Sequence, residues 1–461
     1  MHSILAAAGT AAAAVLTAGL AASGAARSAS SASDAGAHAE DTLPSSSRWL
    51  NLLPDGETKR RFILDCTGCH QFDEKKARPA GKPRTEADWA AAVARMLGYA
   101  GPATGFPVIS AAQDPAATAR WLATSLGERT PTRHADRVPA LDGEVTEYLM
   151  PGPQDLPHDL AVEASGRVVV TGMFTHTMHV LDTAAGTFSQ IDIPVEKSNP
   201  RALEIDAQGQ WWAVLGAPGQ VARFDGLAWK TFDVGMYAHS IALDSSGSAW
   251  VNGHFTRDPE MLAQIAPDGS VRRVELPRHP VMARVPGGPI PYEVRVGPGG
   301  TIWMSELQGN RIVSHDPASG RSAAYDMPTP YSGPRRFDID TAGTLWIPAY
   351  SAGSLVRFEP RTGAFREYPL PIRDALPYVV RVDHGTGTVW IGTGAADALL
   401  AFTPGTGTFK AVRLPSRGAL VRHLAIDPRN HDVWLAYGES PGKLPARIAR
   451  FRAGTGAAAG R

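Results

Sequence analysis

From residue 145 to about 453 the apolar positions alternate in short runs separated by Gly, Asp, Asn or Pro. This is the pattern of half-buried strands joined by tight turns. The runs group into a repeating unit, Pro-x-x-Φ-x-Φ-Asp-x-x-Gly-x-Φ-Trp-Φ (Φ apolar), followed by an alternating strand and a closing strand that ends in proline. Trp212, Trp250, Trp303, Trp346, Trp390 and Trp434 mark the copies, Val170 takes the equivalent place in the first, and the last four tryptophans lie about 44 residues apart. Closing strands recur as Phe188–Pro194, Phe365–Pro371 and Phe409–Pro415. One four-stranded unit per 40–50 residues or so is a propeller blade. The expectation is therefore an all-β, seven-bladed β-propeller over residues 145–453, with a solenoid as the alternative. Val145–Pro151 has the closing-strand pattern but precedes the first full copy, and the last copy lacks that strand. The early run is expected to complete the last blade.

Upstream the period changes. Over 48–129 the apolar spacing is helical: an amphipathic segment at Gly56–Leu64, a polar loop at Lys75–Arg84, and a segment with Trp89, Val93, Met96 and Leu97 on one face. Thr85 with Asp88 three residues on predicts a capping box for that second helix, and Pro115 opens a third carrying Trp121, Leu122 and Leu126. A small all-α domain is expected at 48–129, joined by a Pro-rich linker (130–144) to the propeller, with a disordered tail at 454–461.

Composition adds three constraints. Lys+Arg and Asp+Glu both total 45, so no net basic field draws the chain to nucleic acid or to a membrane surface. Gly 47, Pro 37 and Trp 11 suit a turn-rich β protein. An apolar, alanine-rich run from Ile4 to Ala22, followed by small residues to Ala26, resembles a signal peptide (1–26), with a retained anchor as the alternative because no Lys or Arg precedes it. A Ser/Ala-rich tether is expected at 27–47. The implied setting is the periplasm, with no stable membrane insertion after cleavage.

Both cysteines of the chain fall in Cys66-Thr67-Gly68-Cys69-His70. C-x-x-C-H is the c-type haem attachment pattern: the two thiols bond the haem vinyls and the histidine binds the iron. A structural zinc site lacks a second cysteine pair, and a thioredoxin-like motif or a local disulfide leaves His70 unexplained. The cofactor expected is covalent haem c in a class I cytochrome c-sized domain, and the expected partner is a redox protein. Met96 and His134 are the candidate sixth ligands. The segment Trp89-x6-Met96-Leu97-Gly98 resembles the W…KM…G segment of small cytochrome subunits in sulfite and amine dehydrogenase systems, and that resemblance implies Met96.

In the propeller, Trp303-Met304-Ser305-Glu306…Gly309-Asn310-Arg311-Ile312 is similar to the W-F-T-E…N-R-I repeat of the virginiamycin B lyase (streptogramin lyase) family. That family's magnesium site and catalytic histidine, arranged as Glu-x-His, would be implied. Here the nearest match is Glu293-Val294-Arg295, with arginine in the histidine's place.

The innermost strand of each blade starts at one face, and that position collects His158, Arg201, His239, Glu293, Arg335 with Arg336, Tyr378, and Arg422-His423. Ends of second strands add His176, His254, Glu306, Tyr350 and Tyr437. A polar funnel that binds a small molecule is expected, with His239, Glu293 and Arg335 as candidate catalytic residues. Two chemistries are open. His158, His239, His254, Glu293 and Glu306 can ligate a divalent metal, or Arg201, Arg335 and Arg422 can clamp an anion through forked hydrogen bonds. Electron transfer from the funnel to haem, a metal-dependent C–O lyase and a non-catalytic docking module remain three separate readings.

Overall fold

A computed structural model describes residues 27–29, 45–110, 114–131, 138–152, 155–439 and 446–454. The expected signal peptide, most of the tether, His134 and nearly all of the tail lie outside them.

Seven antiparallel sheets form the seven-bladed propeller. Six blades are consecutive four-stranded meanders, spanning residues 157–192, 200–233, 238–275, 291–326, 338–369 and 377–413. The seventh pairs Val421–Ile426, Val433–Tyr437 and Arg447–Ala453 with the early strand Gly143–Leu149, from Gly143↔Ala453 to Leu149↔Arg447. Arg27–Ala29, inside the expected tether, adds a fifth strand to that sheet.

The Asp-x-x-Gly-x-Φ-Trp repeat has a local cause. Asp206 accepts the backbone N–H groups of Gln208 and Gln210 with one carboxylate oxygen and the indole N–H of Trp212 with the other. Asp244 with Trp250 and Asp340 with Trp346 repeat the arrangement. Gly209, Gly247 and Gly343 supply the positive φ these turns require. The turn and the large core side chain of each blade are thus tied together.

The helical part comprises α1 (Ser46–Leu50), α2 (Glu57–Cys66), the single turn α3 (Glu74–Ala77), α4 (Glu86–Ala100) and α5 (Pro115–Leu126). The capping box Thr85–Asp88 is formed at the start of α4. Asp114 caps α5 ahead of Pro115. Two details differ from the sequence reading. The segment starts before residue 48, because Ser46 and Ser47 are buried and the Ser47 N–H bonds to the Ala395 carbonyl of the propeller. The polar loop at 75–84 holds the end of α3, whose cap is the Asp73 carboxylate. Trp49, Phe62, Phe72, Trp89 and Leu122 form the helical core, continuous with the apolar face of the sixth and seventh blades. No helix among the described residues is long and apolar enough to cross a membrane.

Candidate functional site

Six of the seven innermost strands carry a register shift at their first residues, as at Pro157/Leu160, Pro200/Leu203 and Pro291/Val294. In the fifth blade that strand is shortened to Asp338–Ile339, preceded by an isolated bridge Pro334–Ala349. A bulge places an extra residue where alternation would otherwise hold and re-aims the side chains around it. Consecutive residues therefore serve two successive layers of the central channel.

The outer layer is a chamber of about 860 Å³, counting its open mouth, whose floor is His158, Arg201, His239, Tyr292, Arg335, Tyr378 and Arg422, one from each blade, with His254 from a second strand. The inner layer is ionic. Arg336 pairs with Asp159 at 2.8 Å, Arg295 with Glu293 at 2.7 Å and with Glu204 at 2.8 Å, and Arg381 with Glu293 at 3.3 Å. Arg381 also donates to the His423 Nε2 at 2.8 Å. This layer closes the channel beneath the chamber.

The predicted residues therefore separate. His239 and Arg335 line the chamber together, but Glu293 does not: it lies one position deeper, spoken for by Arg295, Arg381 and the Ser240 hydroxyl. Tyr292 takes its place at the surface of the chamber. Arg336 and His423 likewise belong to the ionic layer. Of the five proposed metal ligands, His158, His239 and His254 share the chamber, whereas Glu306 is buried outside it, gripped by Arg311 beside Glu260, with burial holding its carboxyl above the usual range. Among the described residues no cluster of three or more His, Cys, Asp or Glu is arranged to hold a metal ion. His176 accepts from the Asn199 N–H in a loop, and Tyr437 binds Glu147. Arg295, at the position where a catalytic histidine is implied, is fixed by three carboxylates that hold it protonated, which leaves it no role as a general base.

The imidazoles of the chamber have a defined tautomer. His239 Nδ1 lies 2.8 Å from the Tyr292 carbonyl and His254 Nδ1 2.8 Å from the Pro291 carbonyl. A carbonyl only accepts, so Nδ1 carries the proton and Nε2 presents a lone pair. The two rings stack at 4.4 Å, and His158 meets His239 edge-on at 5.3 Å. Burial, with nearby positive charge, holds all three below the usual imidazole range, His158 and His254 at about 3. They are neutral at physiological pH.

The roof of the chamber is the Cys66–His70 segment. Gly68 and Cys69 line it, with Leu64, Asp65, Phe106 and Val108. Arg422 donates to the Cys69 carbonyl at 2.6 Å, Tyr350 donates to the Thr67 carbonyl at 3.0 Å, and Gln71 bonds Glu439 at 2.8 Å through its N–H and Asp397 at 3.2 Å through its amide. Glycine at position 68 leaves room for this approach, since a Cβ there would lie 2.5 Å from Arg335 Nη2 and the guanidinium would have to shift. None of this docking was legible in the sequence, because each contact joins residues hundreds of positions apart.

Above the roof lies a second, apolar cavity of about 720 Å³, counting its open mouth, whose lining includes Cys66, His70, Trp89, Val93, Met96 and Leu122. Lys76, Arg84 and Arg95 line it as well. Val93, Met96 and Leu97 are only half-buried because protein does not cover them on that side. His70 Nδ1 lies 3.1 Å from the Gln71 carbonyl, which leaves Nε2 free. Cys66 and Cys69 are not joined in a disulfide.

A sequence model described as the virginiamycin B lyase family matches residues 235–444. No curated protein sequence matches the chain. A streptogramin B lyase structure has 17% identity and a TM-score of 0.59, covering 67% of this chain and 97% of its own. The virginiamycin B lyase of Staphylococcus aureus has 18% identity and a TM-score of 0.59, covering 67% and 98%. Kuenenia stuttgartiensis hydrazine synthase has 14% identity and a TM-score of 0.52, covering 66% and 98%. At such identities the structural likeness establishes the fold alone. The chain is thus similar to the virginiamycin B lyases in architecture over about two thirds of its length and, across residues 235–444, in sequence.

Proposed function

We propose that this chain is an exported, periplasmic c-type cytochrome in which a small molecule bound in the propeller chamber exchanges electrons with a haem held by the helical domain, and through it with a redox partner protein. One observation carries the reading. The Cys66–His70 segment is at once the wall of the apolar cavity and the roof of the polar chamber.

The residues present fit a covalent haem. The cavity's apolar lining suits a flat macrocycle. Cys66 lines it, while Cys69, three residues on, lines the polar chamber, so its thiol would have to turn toward the cavity to complete the two-thioether attachment. His70, its Nδ1–H bound to a backbone carbonyl, offers Nε2 as the proximal ligand, and Met96 on α4 offers a thioether from the same lining. Lys76, Arg84 and Arg95 match the two propionates. Bound there, haem supplies one-electron chemistry, at a potential that thioether ligation raises. The protein's own part is to fix the chamber against that group. Arg422, Tyr350 and Glu439 hold the backbone of the motif, and the Nε2 atoms of His239 and His254 can accept a hydrogen bond from a bound molecule.

The lyase reading is the weaker one, since Arg295 and the ion-paired Glu293 and Glu306 leave no histidine–carboxylate set at the family's position.

The test is to express the protein with haem-maturation machinery and record oxidised and reduced spectra of wild type and Met96→Ala. A covalent, low-spin haem that turns high-spin in the variant is expected. Absence of covalent haem from mature protein would overturn the reading.

A further inference from the structure

The three arginines of the chamber differ from every arginine in the layer beneath. Arg201, Arg335 and Arg422 are 6%, 3% and 4% exposed, and among the described residues none has a carboxylate within ion-pairing distance. Arg201 bonds the Asn199 side chain and lies over Phe106 and Tyr237. Arg335 bonds the Tyr292 hydroxyl, packs against the rings of Tyr292, Tyr350 and Tyr378, and keeps its Nε without a partner. Arg422 bonds carbonyls and the Tyr378 hydroxyl. Asp65, the acidic residue of the lining, accepts from the Ser110 N–H and the Gln308 amide. By contrast Arg295, Arg336 and Arg381 each meet a carboxylate. A buried charge without a counter-charge is costly, on the order of several kcal/mol. A chamber that keeps three such cations is built for an anion to complete.

The opposite demand comes from the imidazoles. His239 and His254 present Nε2 lone pairs to the same chamber, and among the described residues no protein donor reaches the Nε2 of either, or that of His158. A simple anion would satisfy the arginines and leave these acceptors empty. The ligand has to bring a hydrogen-bond donor as well.

We infer that the chamber binds a small organic anion carrying a hydroxyl group, a hydroxycarboxylate, with the carboxylate on Arg201, Arg335 and Arg422 and the hydroxyl donating to His239 or His254. The inference rests on the chamber being the substrate site. It names the substrate class and does not depend on the redox step. The rings of Phe106, Tyr292 and Tyr378 in the lining suit an aromatic or short aliphatic member.

The test titrates the mature protein by calorimetry with 4-hydroxybenzoate, glycolate and malate. The controls are benzoate (no hydroxyl), 4-hydroxybenzamide (no charge) and inorganic phosphate. At least one hydroxycarboxylate is expected to bind. For 4-hydroxybenzoate the expected margin over both aromatic controls is tenfold or more, or about 1.4 kcal/mol. Arg335→Gln should weaken it at least as much, Arg335→Lys should lose less, and His254→Phe should abolish the margin over benzoate alone. Binding of phosphate or benzoate as tight as that of the hydroxycarboxylates overturns the inference, as does indifference to Arg335→Gln in a variant with wild-type circular dichroism. No binding by any hydroxycarboxylate overturns it too. A hydroxycarboxylate that binds with these dependences but never reduces the haem supports this inference and defeats the electron-transfer reading.

Discussion

Lys59 shows how much single side chains do at the seam between the helices and the propeller. It is 3% exposed on α2, its ammonium lies 2.5 Å from the Asp374 carboxylate of the propeller and 3.2 Å from Asp55, and Asp374 is itself largely buried. Removing one partner of a buried pair leaves the other charged and dry. Lys59→Ala is expected to lower stability by roughly 3 kcal/mol in chemical denaturation, and Asp374→Asn in the Lys59→Ala background should recover part of it. The sequence singled out Cys66, Cys69 and His70 as candidates from spacing alone, and from their place at a strand start it put His158, His239 and Arg335 in one layer, where they line the chamber. It misplaced Glu293. A strict two-residue alternation cannot register a bulge, so Tyr292 and its neighbour exchanged layers.

At the scale of elements, the blade repeat was legible because its signal is local. The Asp that closes a turn and the Trp six residues on are joined by one hydrogen bond, and that bond recurs from blade to blade. The capping box of α4 was legible for the same reason. Closure of the ring was legible from an unmatched strand, and its details are now visible. Glu147 on the early strand accepts from the Ser416 N–H and hydroxyl and from the Tyr437 hydroxyl, with Arg447 at 3.4 Å. Tyr437 is buried. Glu147→Ala would strand that hydroxyl, so a loss of roughly 1–3 kcal/mol is expected by thermal or urea unfolding, with Glu147→Gln losing less.

At the scale of the whole molecule, what matters is how the helices sit on the ring. Asp397 of the propeller accepts from the Gln71 amide of the helical part and from the Ala419 N–H, with Arg417 at 3.7 Å and with Glu439, itself paired with Lys76, close by. Burial raises its carboxyl from an ordinary 3.8 to about 6. A folded-state value above the unfolded one means that the native protein binds the extra proton. Stability contributed by this group is thus greatest below about pH 4 and declines as pH rises to about 6, by on the order of 3 kcal/mol. Asp397→Asn is expected to flatten the melting-temperature profile between those values, which a series of thermal melts against pH would check. Such cross-seam placement had no sequence signature, because it arises from pairs such as Cys69 with Arg422 whose partners are separated by most of the chain.

The seventh blade has a mechanical consequence. Its seam joins Gly143–Leu149 to Arg447–Ala453 antiparallel, so the two ends that leave the seam toward the helical domain and toward the C-terminus, Gly143 and Ala453, sit side by side. A load applied between those ends would part the ladder one pair at a time, in the manner of a zip, and would not shear all its hydrogen bonds together. The ring therefore has a weakest point and a defined direction of opening. The helical domain, fastened to the chamber face by Lys59, Gln71 and Arg422, offers a second route by which tension can bypass that seam.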